Sequence, residues 1–316
     1  MARDRKDKST INYLDRMDID RLDPDWNIPT EYPDLTGYKS IAVDLETSDP
    51  NLKSLGPGWA RGDGFIVGIA VAAGDYKGYF PIRHQNGHNL DPKMTMRWFA
   101  KQMDTPRIDK IMHNATYDAG WLQAEGIEIK GRIIDTMITG AIVDENRFSY
   151  SLNNLGRDWI DMRKDEKALR AAARDWGFDP KSEMWRLPPM DVGPYAEQDA
   201  LMTLKLWERL KIEVEKQDLW AIWELETGLI PLMLKMKTNG VRVNIDQAEQ
   251  VRKELKGRIT RLKKSIRDET GVDLEPWAAA SVQKVFDSLG LEYAQTEAGN
   301  ATFNKQFLNM HPHPVA

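Results

Sequence analysis

The chain has no cysteine in its 316 residues. That absence excludes disulfides, thiolate zinc sites and a cysteine nucleophile, and it fits a reducing cytosol. Long hydrophobic runs are also missing: none approaches the ~18 residues of a membrane span. The charged start Met1-Ala-Arg-Asp-Arg-Lys-Asp-Lys has no apolar segment behind it, so it does not read as a secretory signal. No membrane partner is expected, and a cytoplasmic location is. There is no internal repeat and no low-complexity tract. What remains is ordinary globular material, 41% hydrophobic and 29% charged, with eleven tryptophans to fill a core and length enough for two domains. The net charge of −5 argues mildly against nucleic acid, but distribution outweighs the sum.

Taken in order, residues 1–35 read as an extended arm. Charges come first, then Asp23-Pro24, Ile28-Pro29 and Tyr32-Pro33 hold the chain out of the helical region, on the surface or partly disordered. Strands are expected at Ser40–Leu45, Phe65–Ala72, Tyr76–Pro81 and Ile108–Met112, with Ile133–Asp135 a strand or helix entrance. Helices are expected at Met94–Met103 and Thr116–Glu125. Strands first, then strands mixed with helices, point to an α/β layered sheet. Residues 136–217 are mostly helical, with apolar spacing at Asn153–Ile160, Glu166–Trp176 and from Val192 onward. Further helices are expected at Trp220–Lys237, after the capping-box spacing Asn244-Ile-Asp-Gln247, and at Ser281–Leu289. The helix after Asn244 carries Val251, Leu255, Ile259, Leu262 and Ile266 on one stripe and stops at Gly271; Gly240–Val243 reads as a short strand or turn.

Four carboxylates stand out against this frame. In Ile41-Ala-Val-Asp-Leu-Glu-Thr47, a buried strand runs into Asp44 and Glu46, which share one face because strand side chains repeat every two residues. Like charges this close repel and lose water, a cost that a divalent cation relieves. Oxygen-only ligation suits Mg²⁺ or Mn²⁺. Asp118 lies early in a helix, within His113-Asn-Ala-Thr-Tyr-Asp118. Tyr195 and Asp199 are four apart on one helix face. Convergence of Asp44, Glu46, Asp118 and Asp199 would meet the needs of two-metal phosphodiester cleavage. Tyr195, with an ordinary pKa near ~10, is a poor base and better suited to orienting the attacking water. Taken singly, each residue also reads as a solvated acid, a surface pair or, for Asn114, a helix cap.

Together the three segments resemble the exonuclease motifs of the DEDD superfamily in its tyrosine branch. Their order and spacing match the proofreading domain of family A DNA polymerases, and Gly131-Arg-Ile-Ile-Asp-Thr-Met137 is similar to that family too. The resemblance implies a ribonuclease H-like fold, a mixed central sheet with flanking helices, over residues 36–217. It implies 3′→5′ removal of nucleotides from a single-stranded or frayed DNA end. Asp44, Glu46, Asp118 and Asp199 would hold two divalent ions, with Thr47, Asn114 and Tyr117 beside the terminal nucleotides. Residues 161–189 have no residue-by-residue match.

Residues 218–316 resemble the start of a polymerase thumb, in Leu232-Met-Leu-Lys-Met-Lys-Thr-Asn-Gly-Val-Arg-Val243 and the helices after it. No Asp-Tyr-Ser-x-Ile-Glu or His-Asp-Glu segment supplies palm carboxylates, so this chain by itself should not polymerise DNA; a separate palm and fingers chain is one partner the resemblance allows. Between Arg252 and Arg267, eight basic residues face only Glu254. A solvated face is the plain reading. The thumb resemblance favours a grip on primer–template phosphates through Arg252, Lys256, Arg258, Arg261 and Lys264. Two other readings stand beside the leading one: an RNA 3′-end processing nuclease, and a DNA-positioning subunit with weak nuclease activity. His84 and His88, four apart, read as a loop coincidence and not a metal pair.

Overall fold

The computed structural model describes residues 25–316, so the charged first part of the expected arm lies outside the described residues. The chain divides into two compact units, one ending at Gly240 and one running from Val241 to Ala316.

The first unit is built on a five-stranded sheet in the order β3-β2-β1-β4-β5. The strands are β1 (Ser40–Ser48), β2 (Phe65–Ala73), β3 (Tyr76–Pro81), β4 (Asp109–Met112) and β5 (Ile133–Asp135). β1 is the middle strand, antiparallel to β2 and parallel to β4. β2–β3 is an antiparallel hairpin, and β5 runs parallel to β4. The helices are α1 (Leu52–Leu55), α2 (Pro92–Met103), α3 (Ala115–Ala124), α4 (Thr136–Val143), α5 (Leu152–Ile160), α6 (Lys167–Trp176), α7 (Pro189–Lys216) and α8 (Trp220–Asn239).

Alternation along β1 sorts its side chains between two cores. Ile41, Val43 and Leu45 pack with α2 and α3, through Phe99, Met103, Ala119 and Leu122. Ala42 faces the opposite way, with Ala70 and Ala72 of β2, and meets Ala196 and Ala200 of α7. Small residues on both surfaces let α7 lie close to the sheet. The same alternation puts Asp44 and Glu46 on the α7 side. α7 begins at Pro189, earlier than the expected Val192, so Pro194 sits inside the helix and has no N–H for the carbonyl one turn back.

Residues 25–35 are irregular, but they are not a surface arm. Trp26 and Leu35 are buried, and the Trp26 indole donates to Glu197 Oε1 at 2.7 Å. Gly193 is required there, since a Cβ would come within 2.2 Å of the Trp26 ring. Tyr32 stacks on Phe80. The aromatics of this stretch hold it down more firmly than its prolines hold it out. α8 buries Trp223, Ile230 and Leu234 in the two cores; the expected start of the thumb-like region, residue 218, lies just ahead of it.

The second unit holds α9 (Ile245–Thr270), α10 (Ala279–Ser288), the two-stranded β6 (Ala294–Gln295) and β7 (Ala301–Thr302), and α11 (Lys305–Met310). Its small core gathers Phe286, Tyr293, Phe303 and Phe307. Asn244 caps α9 by accepting from Gln247 N at 3.1 Å, and Gly271 ends it with a φ of 70°. No strand forms at Val241–Val243, which has no pairing partner among the described residues. The apolar stripe of α9 stays uncovered: Val251, Leu255, Ile259 and Leu262 are all exposed.

Candidate active site

Each side chain of the site is set by a local device. At the end of β1 the pairing register with β2 shifts between Glu46 and Thr47. The bulge breaks the register just after the two acids, and pairing resumes at Thr47 opposite Ile66. Glu46 lies opposite Gly68. A Cβ on Gly68 would come within 2.1 Å of the Tyr79 hydroxyl, so glycine admits the ring of Tyr79 under the acids. That hydroxyl bonds His84 Nε2 at 2.6 Å, and His84 Nδ1 donates to the Leu187 carbonyl at 2.7 Å. Both nitrogens of His84 are thus engaged, in keeping with its reading as no metal ligand.

Asp118 stands in the first turn of α3, where the positive end of the helix dipole favours a carboxylate. Its Oδ1 accepts the N–H of Leu45 at 3.0 Å, which ties it to β1 between Asp44 and Glu46. Asn114 precedes α3 in the left-handed region, φ 64° and ψ 52°, and its side chain makes no cap bond. The cap comes from Asp135 instead, at the end of β5. Its carboxylate accepts from Asn114 N at 3.0 Å and Ala115 N at 2.8 Å, and also from Met137 N at 2.8 Å. One buried acid therefore anchors the starts of both α3 and α4.

From the other side of the sheet, α7 presents Tyr195 and Asp199. Asp199 Oδ2 forms an ion pair with Lys164, from the loop between α5 and α6. The same ammonium lies 3.2 Å from the Tyr195 hydroxyl. Asp199 Oδ1 is buried with no hydrogen-bond partner among the described residues. Thr47 bonds the Tyr117 hydroxyl at 2.8 Å, and that hydroxyl donates to Asp49 Oδ2 at 3.2 Å. These contacts bring Thr47 and Tyr117 together at the rim next to Glu46.

Burial and mutual repulsion set the charge of this group of acids. Burial pushes Asp44 up to about 7, helped by the charge of Asp199 and opposed by Lys164. Glu46 is held well above the usual carboxylate range by burial, then by the charges of Asp44 and Asp199. Burial and Asp44 raise Asp118, against the pull of the Leu45 N–H. Asp199 is raised by burial, with Lys164 pulling it down. Burial and the charge of Asp199 drive Tyr195 far above an ordinary phenol. It therefore stays protonated and cannot serve as a base at neutral pH.

The donor set is all oxygen and strongly anionic, which suits a hard divalent cation. The orphaned Asp199 Oδ1 and the mutual repulsion fit such a guest. The acids are not a finished cage, however. Among the described residues, no three acids or histidines are arranged to hold an ion as they stand. Asp118 is turned onto Leu45, and Asp199 onto Lys164.

The basic helix is less bare than its sequence window suggests. Arg252 pairs with Glu249 at 2.6 Å, Lys263 with Glu275 at 3.0 Å, Lys264 with Asp268, and Arg267 with Asp273 at 3.3 Å. Lys253, Lys256, Arg258 and Arg261 have no ion-pair partner among the described residues. Two residues of the first unit's site are given no role by the sequence: Lys164, and Asp135, which lies in the family-like stretch Gly131–Met137. Asp135 carries a local signal, an Asp-Thr step entering an apolar run. Lys164 carries none beyond a basic pair between two helices.

A 3′-5′ exonuclease family model matches residues 32–215. A DNA-directed DNA polymerase of Pseudomonas phage M6 is 32% identical over 315 residues, covering 97% of this chain and 47% of the phage protein. The DNA polymerase I of Chloroflexus aurantiacus is 26% identical over 211 residues, 65% of this chain and 22% of its own length. The solved POL domain of Pol1 from M. smegmatis, in complex with DNA primer-template and dNTP, shares the fold. Its TM-score is 0.57 at 16% identity, over 85% of this chain and 41% of that one. The chain thus spans about half the length, or less, of the relatives it matches. No helix among the described residues is long and apolar enough to cross a membrane.

Proposed function

The chain belongs to the 3′-5′ exonuclease family of DNA polymerases, and from that premise we propose that it trims DNA 3′ ends at the Asp44–Glu46–Asp118–Asp199 cluster, as the proofreading part of a family A polymerase. Its ribonuclease H-like α/β sheet is the fold expected of that family. The observation that carries the reading is the meeting of four acids from β1, α3 and α7 in one buried, mutually repelling group.

In this reading the family's divalent ions number two, Mg²⁺ or Mn²⁺, held by those four carboxylates. When bound, they supply charge neutralisation at the leaving oxygen and activation of the attacking water. The chain's own residues do the rest. Tyr195 keeps its proton and orients the water by hydrogen bonding. Thr47, Asn114 and Tyr117 border the terminal nucleotides, with Tyr117 steadied by Asp49. The substrate is a single-stranded or frayed DNA 3′ end delivered from a primer–template, in the cytoplasm. The exonuclease spans residues 36–217, and residues 218–316 form the thumb-like part. Lys256, Arg258 and Arg261 of α9 are its best phosphate contacts, because Arg252 and Lys264 already have acidic partners. Polymerisation is assigned to palm and fingers sequence other than these 316 residues, whether joined to this chain or separate.

The test is digestion of 5′-labelled single-stranded DNA and RNA with Mg²⁺ and again with EDTA. Expected is a descending ladder on DNA that EDTA abolishes. Degradation of RNA alone would replace the proofreading reading with RNA end processing, and EDTA-resistant cleavage would overturn the metal-dependent reading.

A further inference from the structure

Lys164 lies in a segment with no counterpart in the sequence motifs, yet its ammonium reaches the acid cluster at Asp199. The position is built, not incidental. Lys164 N donates to Asn153 Oδ1 at 3.0 Å. On either side, Asp165 N donates to Gln198 Oε1 at 3.0 Å, and Gln198 Nε2 donates to the Arg163 carbonyl at 3.2 Å. Gln198 is the residue before Asp199. The loop is therefore stitched to the stretch of α7 that carries the acid, and to α5 behind it. The Lys164 ammonium lies over the Tyr195 ring, 5.3 Å from its centroid, and the side chain is only 19% exposed.

This ammonium shares Asp199 Oδ2 and the Tyr195 hydroxyl. A divalent ion drawing on Asp199 would need the same carboxylate oxygen or its neighbour Oδ1. An ammonium and a dication crowded onto one carboxylate repel each other. We propose that Lys164 is a positioning residue that competes with the divalent ion for Asp199, so that loading of the Asp199 side requires the lysine to let go. Lys164 then sets two quantities at once. It offsets the repulsion among Asp44, Glu46 and Asp199 when no ion is bound, and it weakens the affinity for the ion that replaces it. The proposal rests on the reading of the four acids as a metal site.

The experiment compares wild type with Lys164→Gln by two readouts that need no substrate. Mn²⁺ binding by calorimetry should be at least about tenfold tighter in the variant, the gain expected when a competing charge-assisted bond of about 1.5 kcal/mol is removed. The melting temperature in EDTA should fall in the variant, and saturating Mn²⁺ should close the gap, because binding to the folded state stabilises it by mass action. If Lys164→Gln does not fold in EDTA, a melting series in Mn²⁺ still reports the affinity, and rescue of folding by Mn²⁺ is the expected result. Equal or weaker Mn²⁺ affinity, or no rescue, overturns the role of Lys164. Absence of Mn²⁺ binding in wild type and variant alike would instead overturn the metal-site reading on which it rests.

Discussion

Replacing Asp135 with alanine should unsettle the site without touching any of the four acids. Asp135 is 2% exposed, and its carboxylate serves backbone donors at the starts of two helices. Oδ2 accepts from Ala115 N at 2.8 Å; Oδ1 accepts from Asn114 N at 3.0 Å, Met137 N at 2.8 Å and, weakly, Ile138 N at 3.4 Å. Losing the cap of α4 costs about 1 kcal/mol. Losing the two charge-assisted bonds to Asn114 and Ala115 costs about 1.5 kcal/mol each. The sum is about 4 kcal/mol; Asn114 N and Ala115 N have no other acceptor bonded to them among the described residues. In a unit of this size that lowers the melting temperature by about 8–16 °C. Urea unfolding is the assay: the midpoint should drop and the m-value hold. Asp118 sits one turn into the helix that Asp135 anchors, so cleavage by the folded fraction should also fall, by about tenfold or more. A loss of stability below about 1 kcal/mol would refute the double-cap account.

Three further outcomes are expected. Tyr195→Phe should slow cleavage on the order of 10²-fold and leave Mn²⁺ affinity intact; calorimetry showing reduced affinity would make the tyrosine a metal-site element instead. His84 is buried, and burial lowers it to about 4, against about 6.5 when unfolded. The folded state therefore resists a proton that the unfolded state accepts, and stability is lost as pH falls from about 6.5 to 4, by about 3 kcal/mol in all. The wild-type minus His84→Gln difference in stability should show that slope, and a flat difference would contradict it. Changing Lys256, Arg258 and Arg261 to Gln should weaken duplex binding and flatten its log K against log salt slope by roughly 0.9 for each phosphate no longer gripped, with turnover of short single strands unchanged; an unaltered slope returns α9 to a solvated helix.

The parts of the molecule legible in the sequence are those written within a few residues. The run from Ile41 to Val43 into Asp44 and Glu46 gives a buried strand with two acids on one face; that α7 covers this face is seen only in the packing of Ala42 with Ala196 and Ala200. Tyr195 and Asp199 follow from helical spacing in the same way. The bulge after Glu46 has no such signature, because it depends on how β2 pairs. Lys164 is illegible because its meaning lies 35 residues away in Asp199, beyond the whole of α6, where no local period links the two. Trp26 and Leu35 were hidden by the prolines around them, which describe the backbone and not what the aromatic and aliphatic side chains reach. The basic stripe of α9 was overcounted for a simpler reason. Its neutralising acids, Glu249, Asp268, Asp273 and Glu275, lie just outside the window that holds the basic residues.

The central claim is that four buried acids form the cutting site, and the most direct measurement is single-turnover shortening of a 5′-labelled DNA strand by Asp44→Ala in saturating Mg²⁺. Removing Asp44 relieves repulsion with Asp199 and Glu46, so the variant should fold at least as well as wild type by circular dichroism. The account predicts no shortening above the EDTA background. A folded Asp44→Ala protein that trims the 3′ end at the wild-type rate would contradict it.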